Sequence, residues 1–593
     1  MGIKHSSASP LRLAPSSSNF HSSTLIHMTA SPDAYTPTPP NPPVSNLNPP
    51  TSNLQPQTSN LQSPDRLILL ALLLVLAVDF LFYDKPLGLS FPIFIFLCIS
   101  ILISLAVAER AHPAFSSLWL FFPMVGFSIM VFVRAEPLTT FVNVCLALAL
   151  GVLWARTFTG GGLFRFGLID FGLNYFLGGM ETLLRPWPVL VSSGKQTMSA
   201  EGRRQWLMPV ARGLILAAPV LCIFSILLSS ADLVFADRLR DLLEYLNLDN
   251  IPELIQRAFI VGVAAFLAIG LLIQSLRPLR YTLVGEDGKL IPRILGPIES
   301  TIILGSINLL FAGFVVIQFR YLFGGVENIT ETGYNYSEYA RRGFGELAAV
   351  VFMTLLILLE LSSAARRETP REAVTYNALN VLTVALVGVM VISALLRLLL
   401  YEEIYGFTRL RTYSHVAIIW LGALFVPYLV ALLANRLRWF APGALLCLLG
   451  FAATLNGLNV DRFIAAHNID RSTRNSKLHT RYLLTLSDDA LPELIPLLAG
   501  EDAEVKAVLG PGLACRVDRL ARDYGKAGWQ SRHLAHQVAW DSLQSSPALS
   551  RYYVIHHIDG DYVYIGDEHV TCSELLESFV LEPGLTSEYR EGR

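Results

Sequence analysis

Charged residues are scarce in this sequence. Asp, Glu, Lys and Arg make up only 16% of its 593 residues, whereas a soluble domain carries about 25%. Hydrophobic residues make up 53%, and the mean hydropathy is +0.48. Such a composition excludes an ordinary soluble protein and predicts that most of the chain is solvated by lipid. The formal net charge of -2 gives no strong overall field, so no nucleic-acid partner is predicted.

Cysteine is also scarce, with six residues and no CxxC pair. Four lie inside apolar runs, where a thiol is usually a small apolar filler, and Cys515 and Cys572 lie in the polar C-terminal part. No zinc or redox pattern emerges from this spacing. The four in apolar runs are Cys98, Cys145, Cys222 and Cys447.

The familiar motifs of catalysis and cofactor binding are missing too. No phosphate loop, HExxH, GxSxG or dinucleotide fingerprint occurs in a fitting context. His533 and His536 lie three residues apart, and His556, His557 and Asp559 lie close together in the sequence. These spacings do not complete a known metal-binding pattern. We therefore predict no metal and no cofactor.

Long apolar runs dominate what is present. A helix that crosses the hydrocarbon core needs about 20 apolar residues, and lipid offers no partners to bare backbone groups, so such runs must be helical. About eleven runs approach that length. They are 67–83, 89–108, 115–133, 138–154, 213–231, 258–275, 300–322, 344–364, 376–400, 414–434 and 439–456.

Two polar segments flank this membrane domain, which spans residues 65–456. Residues 1–64 are rich in Ser, Pro, Asn and Thr, which predicts a disordered tail. Residues 457–593 predict a small α+β soluble domain, with a helix capped by Ser487, helices over 503–523 and 529–545, and a hairpin turning at Asp559-Gly560. The fold class is therefore an all-α polytopic membrane protein with a small C-terminal α+β domain.

Lys and Arg in the loops predict the orientation. The loop 155–212 holds seven of them, and the loops on the other side hold about three each. This bias places the N-terminus in the cytoplasm and, with eleven spans, the C-terminal domain outside. The same loop has an apolar stripe with few charges, which predicts a helix lying in the membrane interface.

Several long segments of the sequence resemble those of a known family. YNYSEYARRGFGEL (334–347), YEEIYGFTRLRTYSHVAIIWLG (401–422), SSADLVFAD (229–237) and NVDRFIAAHNIDR (459–471) resemble the bacterial membrane proteins grouped as domain of unknown function 4173, related to group 4153. The resemblance covers roughly residues 66–500. It implies a multi-pass protein of the bacterial cytoplasmic (inner) membrane and supplies no catalytic residue.

Charged and tyrosine side chains gather at the predicted outer ends of the spans. Carboxylates and guanidiniums together suit a pocket for a polar ligand or a salt-bridged rim that caps helices, and we favour the rim. The candidate residues are Tyr339, Arg341, Arg342, Glu346, Arg397, Tyr401, Glu402, Glu403, Arg409 and Arg411. Within the spans, Asp79 is the deepest carboxylate, and we expect it to pair with a neighbouring arginine rather than to relay protons.

These features favour a non-enzymatic membrane protein, such as a sensor, scaffold or accessory factor with a polar extracytoplasmic rim. The lipid bilayer is its predicted partner, and protein partners are unknown. Two alternatives stay open. One is a transporter of a polar or charged solute, which would need ligand groups at the midplane. The other is a membrane-bound transferase acting on a lipid-linked substrate.

Overall fold

The computed structural model describes residues 64–577, with gaps. The gaps are 160–165, 185, 188–212, scattered positions of 214–233, 240–250, 277–293, 323–335, 475–477, 527, 558–559 and 566–567. At some helix ends, among them 336–343, only the backbone is described. The predicted tail over residues 1–64 lies almost wholly outside the described residues.

The described part of the membrane domain is built of helices, as its apolar runs predict. Pro137 and Pro370 occupy first helical positions, where a missing N–H costs nothing. The helices are α1 Pro64–Phe82, α2 Ser90–Ala108, α3 Phe115–Val133, α4 Pro137–Thr157, α5 Leu168–Leu184, α6 Ile251–Leu276, α7 Pro297–Leu322, α8 Tyr336–Ala364, α9 Pro370–Tyr405, α10 Arg409–Ala423, α11 Phe425–Leu433 and α12 Phe440–Leu458.

Nine helical segments of the described residues are long and apolar enough to cross a membrane. The helix pair α10–α11 forms one of them, Arg409–Leu433, and α1 adds a shorter apolar helix, Leu69–Phe82. The predicted fold class is confirmed. These segments match ten of the eleven predicted runs, and the remaining run, 213–231, is described only at scattered positions.

The C-terminal region, which we call the cap (residues 460–577), packs on one end of this bundle. Its antiparallel sheet has the order β1-β2-β3, and a disulfide joins Cys515 to Cys572. Its elements are α13 Val460–Ser472, α14 Thr480–Leu484, α15 Leu491–Leu494, α16 Ala503–Lys526, α17 Leu534–Gln544, β1 Tyr553–His557, β2 Gly560–Ile565, β3 Glu568–Thr571 and α18 Cys572–Glu577.

Three details of the cap differ from the sequence prediction. In the β1–β2 hairpin Gly560 pairs with His557 and begins β2, whereas it was predicted to lie in the turn, and its φ of 147° favours glycine. The strand β3 was not predicted. Ser487 makes no side-chain capping bond; its hydroxyl donates to the carboxylate of Asp489 at 3.5 Å, and its backbone N–H donates to Asp461 of α13.

The cap and the bundle share one hydrophobic core. Val416 of α10 and Leu455 of α12 belong to the same buried cluster as Leu494, Leu509 and Val563 of the cap. Each of these side chains is at most 9% exposed. Because the cap and the bundle bury these side chains against each other, the packing favours a fixed position of the cap on the bundle.

The helix ends define two faces of the bundle. On the cap face, the amide of Leu89 at the start of α2 donates to the carbonyl of Arg532 in the cap. On the opposite face, Thr159 after α4 donates to the carbonyl of Ser275 near the end of α6. Helix α4 therefore ends on the face opposite to that on which α6 begins.

Candidate functional site

The predicted polar cluster at the start of α8 is described only in part. The side chains of Tyr339, Arg341 and Arg342 lie outside the described residues, and Glu346 is exposed. Five residues join α8 to α9, and the two helices pack side by side as an antiparallel pair. The start of α8 and the end of α9 therefore lie together on the cap face.

Two of the predicted candidate residues, Tyr401 and Arg411, contribute to the turn between α9 and α10. Gly406 adopts a φ of 77°, and a Cβ there would meet Oδ1 of Asn468 at 2.7 Å. Asn468 of α13 accepts from the amide of Phe407 (2.8 Å) and donates to its carbonyl (2.9 Å). Arg411 donates to the carbonyl of Gly406 (2.5 Å), and its guanidinium lies 4.3 Å from the ring centre of Tyr401. Arg411 and Tyr401 therefore shape the turn.

A buried carboxylate lies beside this turn. Glu402 is 1% exposed, and Nδ1 of His415 lies 3.4 Å from its carboxylate. Neither carboxylate oxygen has a hydrogen-bond partner among the described residues. Arg397, one helical turn earlier, is also buried, whereas Glu403 is exposed. Glu402 and His415 thus form a loosely bonded buried pair.

Arg409 points away from this pair toward the cap. Its Nε and Nη2 atoms donate to the two carboxylate oxygens of Asp461 at 2.8 and 2.6 Å, and Asp461 is fully buried. Asp461 also accepts from the amide of Ser487 at 2.6 Å. One carboxylate therefore ties α10, α13 and the loop after α14 together, in the bidentate geometry that strengthens an ion pair.

This ion pair is the centre of a polar layer between the cap and the bundle. We call this layer the seam, and it consists of Arg134, Glu136, Asn143, Arg409, Asn456, Asp461, Asp488, Asp489, Arg516 and His536.

One end of the seam links α3, α4 and α12 to the cap. Arg134 donates to the carbonyl of Asn456 at 3.1 and 2.6 Å and lies 3.5 Å from Asp489. The amide of Ala135 donates to Asp489 at 2.8 Å. Asn143 and Asn456 exchange two amide hydrogen bonds, of 2.9 and 2.7 Å, inside the bundle. Burial raises the pKa of Asp489 despite these donors.

The other end of the seam lies within the cap. Asp488 accepts from Arg516 at 3.0 Å and from His536, and Arg516 also donates to the carbonyl of Leu484 at 3.0 Å. Burial acts to raise the pKa of Asp488, but the His536 hydrogen bond and the Arg516 charge outweigh it and hold this pKa below its usual value. Each described carboxylate of the seam therefore accepts a hydrogen bond from another element or from the backbone at the start of a helix.

The sequence analysis did not single out the acidic members of the seam. Asp461 lies in the segment NVDRFIAAHNIDR of the family resemblance, but Arg462 directly after it gave no reason to expect a buried carboxylate. No local pattern pointed to Asp488, Asp489 or Arg516.

A group of possible metal ligands lies elsewhere on the cap. Ligand atoms of Asp518, His556 and Asp561 lie within 4.8 Å of one another. Arg522 already contacts Asp518 (2.9 Å) and Asp561 (2.5 Å), and His556 bridges the same two carboxylates. Hydrogen bonding to Asp561 and the charge of Asp518 raise the pKa of His556, which favours the imidazolium rather than a metal ligand.

Comparison with known proteins places the chain in a family. A family model described as Domain of unknown function (DUF4153) matches residues 121–497, which is more than half of the chain. The matched part runs from within α3 to the end of α15 and includes the seam as far as Asp489. The match agrees with the related group 4153 of the sequence resemblance and does not show group 4173. Comparison with curated proteins and with solved structures gave no match.

Proposed function

We propose that this chain, which belongs to the family Domain of unknown function (DUF4153), is a non-enzymatic sensor, scaffold or accessory factor of the bacterial cytoplasmic membrane, with its cap outside the cytoplasm. The observation that carries the proposal is the seam. Its buried ion pair between Arg409 and Asp461 fixes the cap to a membrane-spanning helix. A partner or ligand that displaces the cap would therefore act directly on α4, α10 and α12.

Two features support the outer location of the cap. The disulfide between Cys515 and Cys572 suits an oxidising compartment. The connection between α8 and α9 lies on the opposite face and carries Arg366, Arg367 and Arg371 close together, as cytoplasmic loops tend to do.

Cysteine labelling tests this orientation. A cysteine introduced at exposed Ser550 is expected to react with a membrane-impermeant maleimide on intact cells. The background keeps the disulfide, whose sulfurs do not react, and lacks the four cysteines of the apolar runs. A cysteine at Ser199, in the predicted cytoplasmic loop, is the control and should react only after permeabilisation. Labelling of the Ser550 cysteine only after lysis would show that the cap is cytoplasmic.

A second candidate function rests on a groove in the membrane domain. A cavity of about 450 Å³ between α8, α10 and α12 has an almost wholly apolar lining that includes Phe344, Ser414 and Trp420. Ser414 is adjacent in sequence to His415, the partner of buried Glu402. An apolar groove beside a carboxylate–histidine pair suits a transferase that holds the chain of a lipid-linked substrate.

Substitution of Glu402 separates the two candidates. A structural role predicts that Glu402→Gln lowers the melting temperature of the detergent-solubilised protein, because the loss of its charge leaves the buried pair with His415 unmade, at about 1–3 kcal/mol. The Glu402→Gln variant should then restore the function lost in a deletion strain only in proportion to the amount of folded protein. Glu403→Gln, at the exposed neighbouring position, should change neither quantity.

The opposite outcome would favour the second candidate. If Glu402→Gln melts like the wild type but fails to restore the function lost in the deletion strain, then Glu402 acts on a substrate or solute and the non-enzymatic proposal fails.

A further inference from the structure

A cavity of about 280 Å³ opens in the seam, between the starts of α4 and α10 and the cap helices α16 and α17. We call it the seam pocket. Its charged and titratable lining consists of Arg409, Arg516, Arg519, His536 and Asp488. Three guanidiniums therefore line the cavity together with one carboxylate.

The neighbouring carboxylates are bonded to groups other than Arg519. Asp461 balances Arg409, to which it is bonded on both oxygens. Glu136 accepts from the amides of the first turn of α4, and Asp489 accepts from the amide of Ala135 and lies beside Arg134. Asp488 pairs with Arg516, and no carboxylate of the described residues lies within ion-pair distance of Arg519.

Several donors in the seam pocket are available to a ligand. Arg519 is exposed, and no carboxylate of the described residues pairs with it. His536 holds Asp488 through Nδ1, which leaves Nε2 available. The Nε atom of Arg516 is buried without a hydrogen-bond partner in the described part of the chain. Burial lowers the pKa of Arg516, and the charges of Arg519 and Arg409 lower it further against the effect of Asp488, so a bound anion would relieve this crowding.

The position of the seam pocket along the bundle points to the source of such an anion. Pro137 and Arg409 line it, and each is the first residue of a candidate membrane span. The pocket therefore lies where a span leaves the hydrocarbon core, at the depth of lipid headgroups. Anionic headgroups carry phosphate at this depth, and free phosphate reaches it from the water.

We propose that the seam pocket binds a phosphate group, presented by an anionic phospholipid of the leaflet that the cap faces or as free phosphate. The planar guanidinium of Arg519 suits two phosphate oxygens at once, and Arg516 and His536 lie on the same cavity for the others. The volume leaves room for a small alcohol such as glycerol beside the phosphate. The site requires only the seam and is independent of whether the protein is an enzyme.

The full-length protein in nanodiscs provides the test, with the melting temperature as the measurement. One arm adds inorganic phosphate to nanodiscs of phosphatidylcholine alone, and the other replaces part of that lipid with phosphatidylglycerol. One of the two arms is expected to stabilise the wild type, and the responding arm identifies the source. Arg519→Gln should weaken the binding at least about tenfold, since it removes a charge-assisted bidentate contact.

Two further variants serve as controls. Arg551→Gln removes an exposed positive charge of the cap away from the seam pocket and should respond like the wild type. Arg519→Lys keeps the positive charge but lacks the planar guanidinium that contacts two oxygens at once, and it should bind with intermediate strength. It also provides the test if Arg519→Gln does not fold. The proposal is overturned if neither arm stabilises the wild type, or if both Arg519 variants respond as strongly as the wild type does.

Discussion

Asp461→Asn is expected to lower the free energy of unfolding by about 3 kcal/mol, the lower end of the cost of removing one partner of a buried ion pair. The substitution keeps the shape of the side chain but removes its charge. Arg409, whose side chain is 31% exposed, then loses its only bidentate partner, and its partial access to water keeps the cost at the lower end. The amide of Ser487 would also lose a charged acceptor. Thermal unfolding of the detergent-solubilised protein measures the effect.

A matched control lies on the same helix. Asp470 of α13 is exposed and pairs only with Arg474 one turn later, and such surface pairs contribute about 0–1 kcal/mol. Asp470→Asn should therefore leave the melting temperature nearly unchanged. Arg409→Gln should destabilise more than Asp461→Asn, because it leaves the fully buried carboxylate of Asp461 without its cation, and the double variant should cost less than the sum of the two. Additive effects would mean that the two side chains do not act as a pair, and the seam would not hold the cap.

The membrane helices could be predicted from the sequence because their cause is local. A run such as 89–108 contains enough apolar residues to fix both the helix and its solvation by lipid, and the structure has α2 over Ser90–Ala108. The run after α4, which was predicted to be a helix in the membrane interface, is also helical. It forms α5, which leaves Leu168, Phe176 and Leu183 more than half exposed.

The seam could not be predicted, because its contacts join distant parts of the chain. Asn143 bonds to Asn456, 313 residues away, and Ala135 bonds to Asp489, 354 residues away. No rule based on residue spacing predicts such a pairing from a single sequence. Arg409 was predicted correctly as a polar residue at a helix end. Its carboxylate partner, however, is a residue of the cap and not the neighbouring Glu402 or Glu403.

The disulfide was missed for a different reason. Cys515 and Cys572 lie 57 residues apart, and a single pair at that distance forms no recognisable framework. Two facts in combination would have pointed to it. These are the only cysteines outside the apolar runs, and both lie in the region predicted to be extracytoplasmic, where thiols are oxidised.

Removal of this disulfide is expected to destabilise the cap by about 4 kcal/mol, the chain-entropy value for closing a loop of this length. The bond ties α16 to α18, the helix that follows β3, and both sulfurs belong to buried residues. A Cys515→Ala/Cys572→Ala variant should therefore melt well below the wild type, and α18 should become the most accessible part of the cap to proteases. Alanine is chosen because serine would place an unpaired hydroxyl in the core.

Reduction supplies the control for the two substitutions. A membrane-permeant reductant should lower the melting temperature of the wild type toward that of the double-alanine variant and should leave the variant itself unchanged. Alanine at Cys145, an exposed cysteine of α4 that forms no disulfide, should preserve the response to reductant. Protein taken from cells with its thiols blocked at lysis should also migrate faster on a gel without reductant than with it. If Cys515 and Cys572 are instead alkylated at that step, the pair is reduced in the cell, and both the stabilisation and the outer location of the cap are wrong.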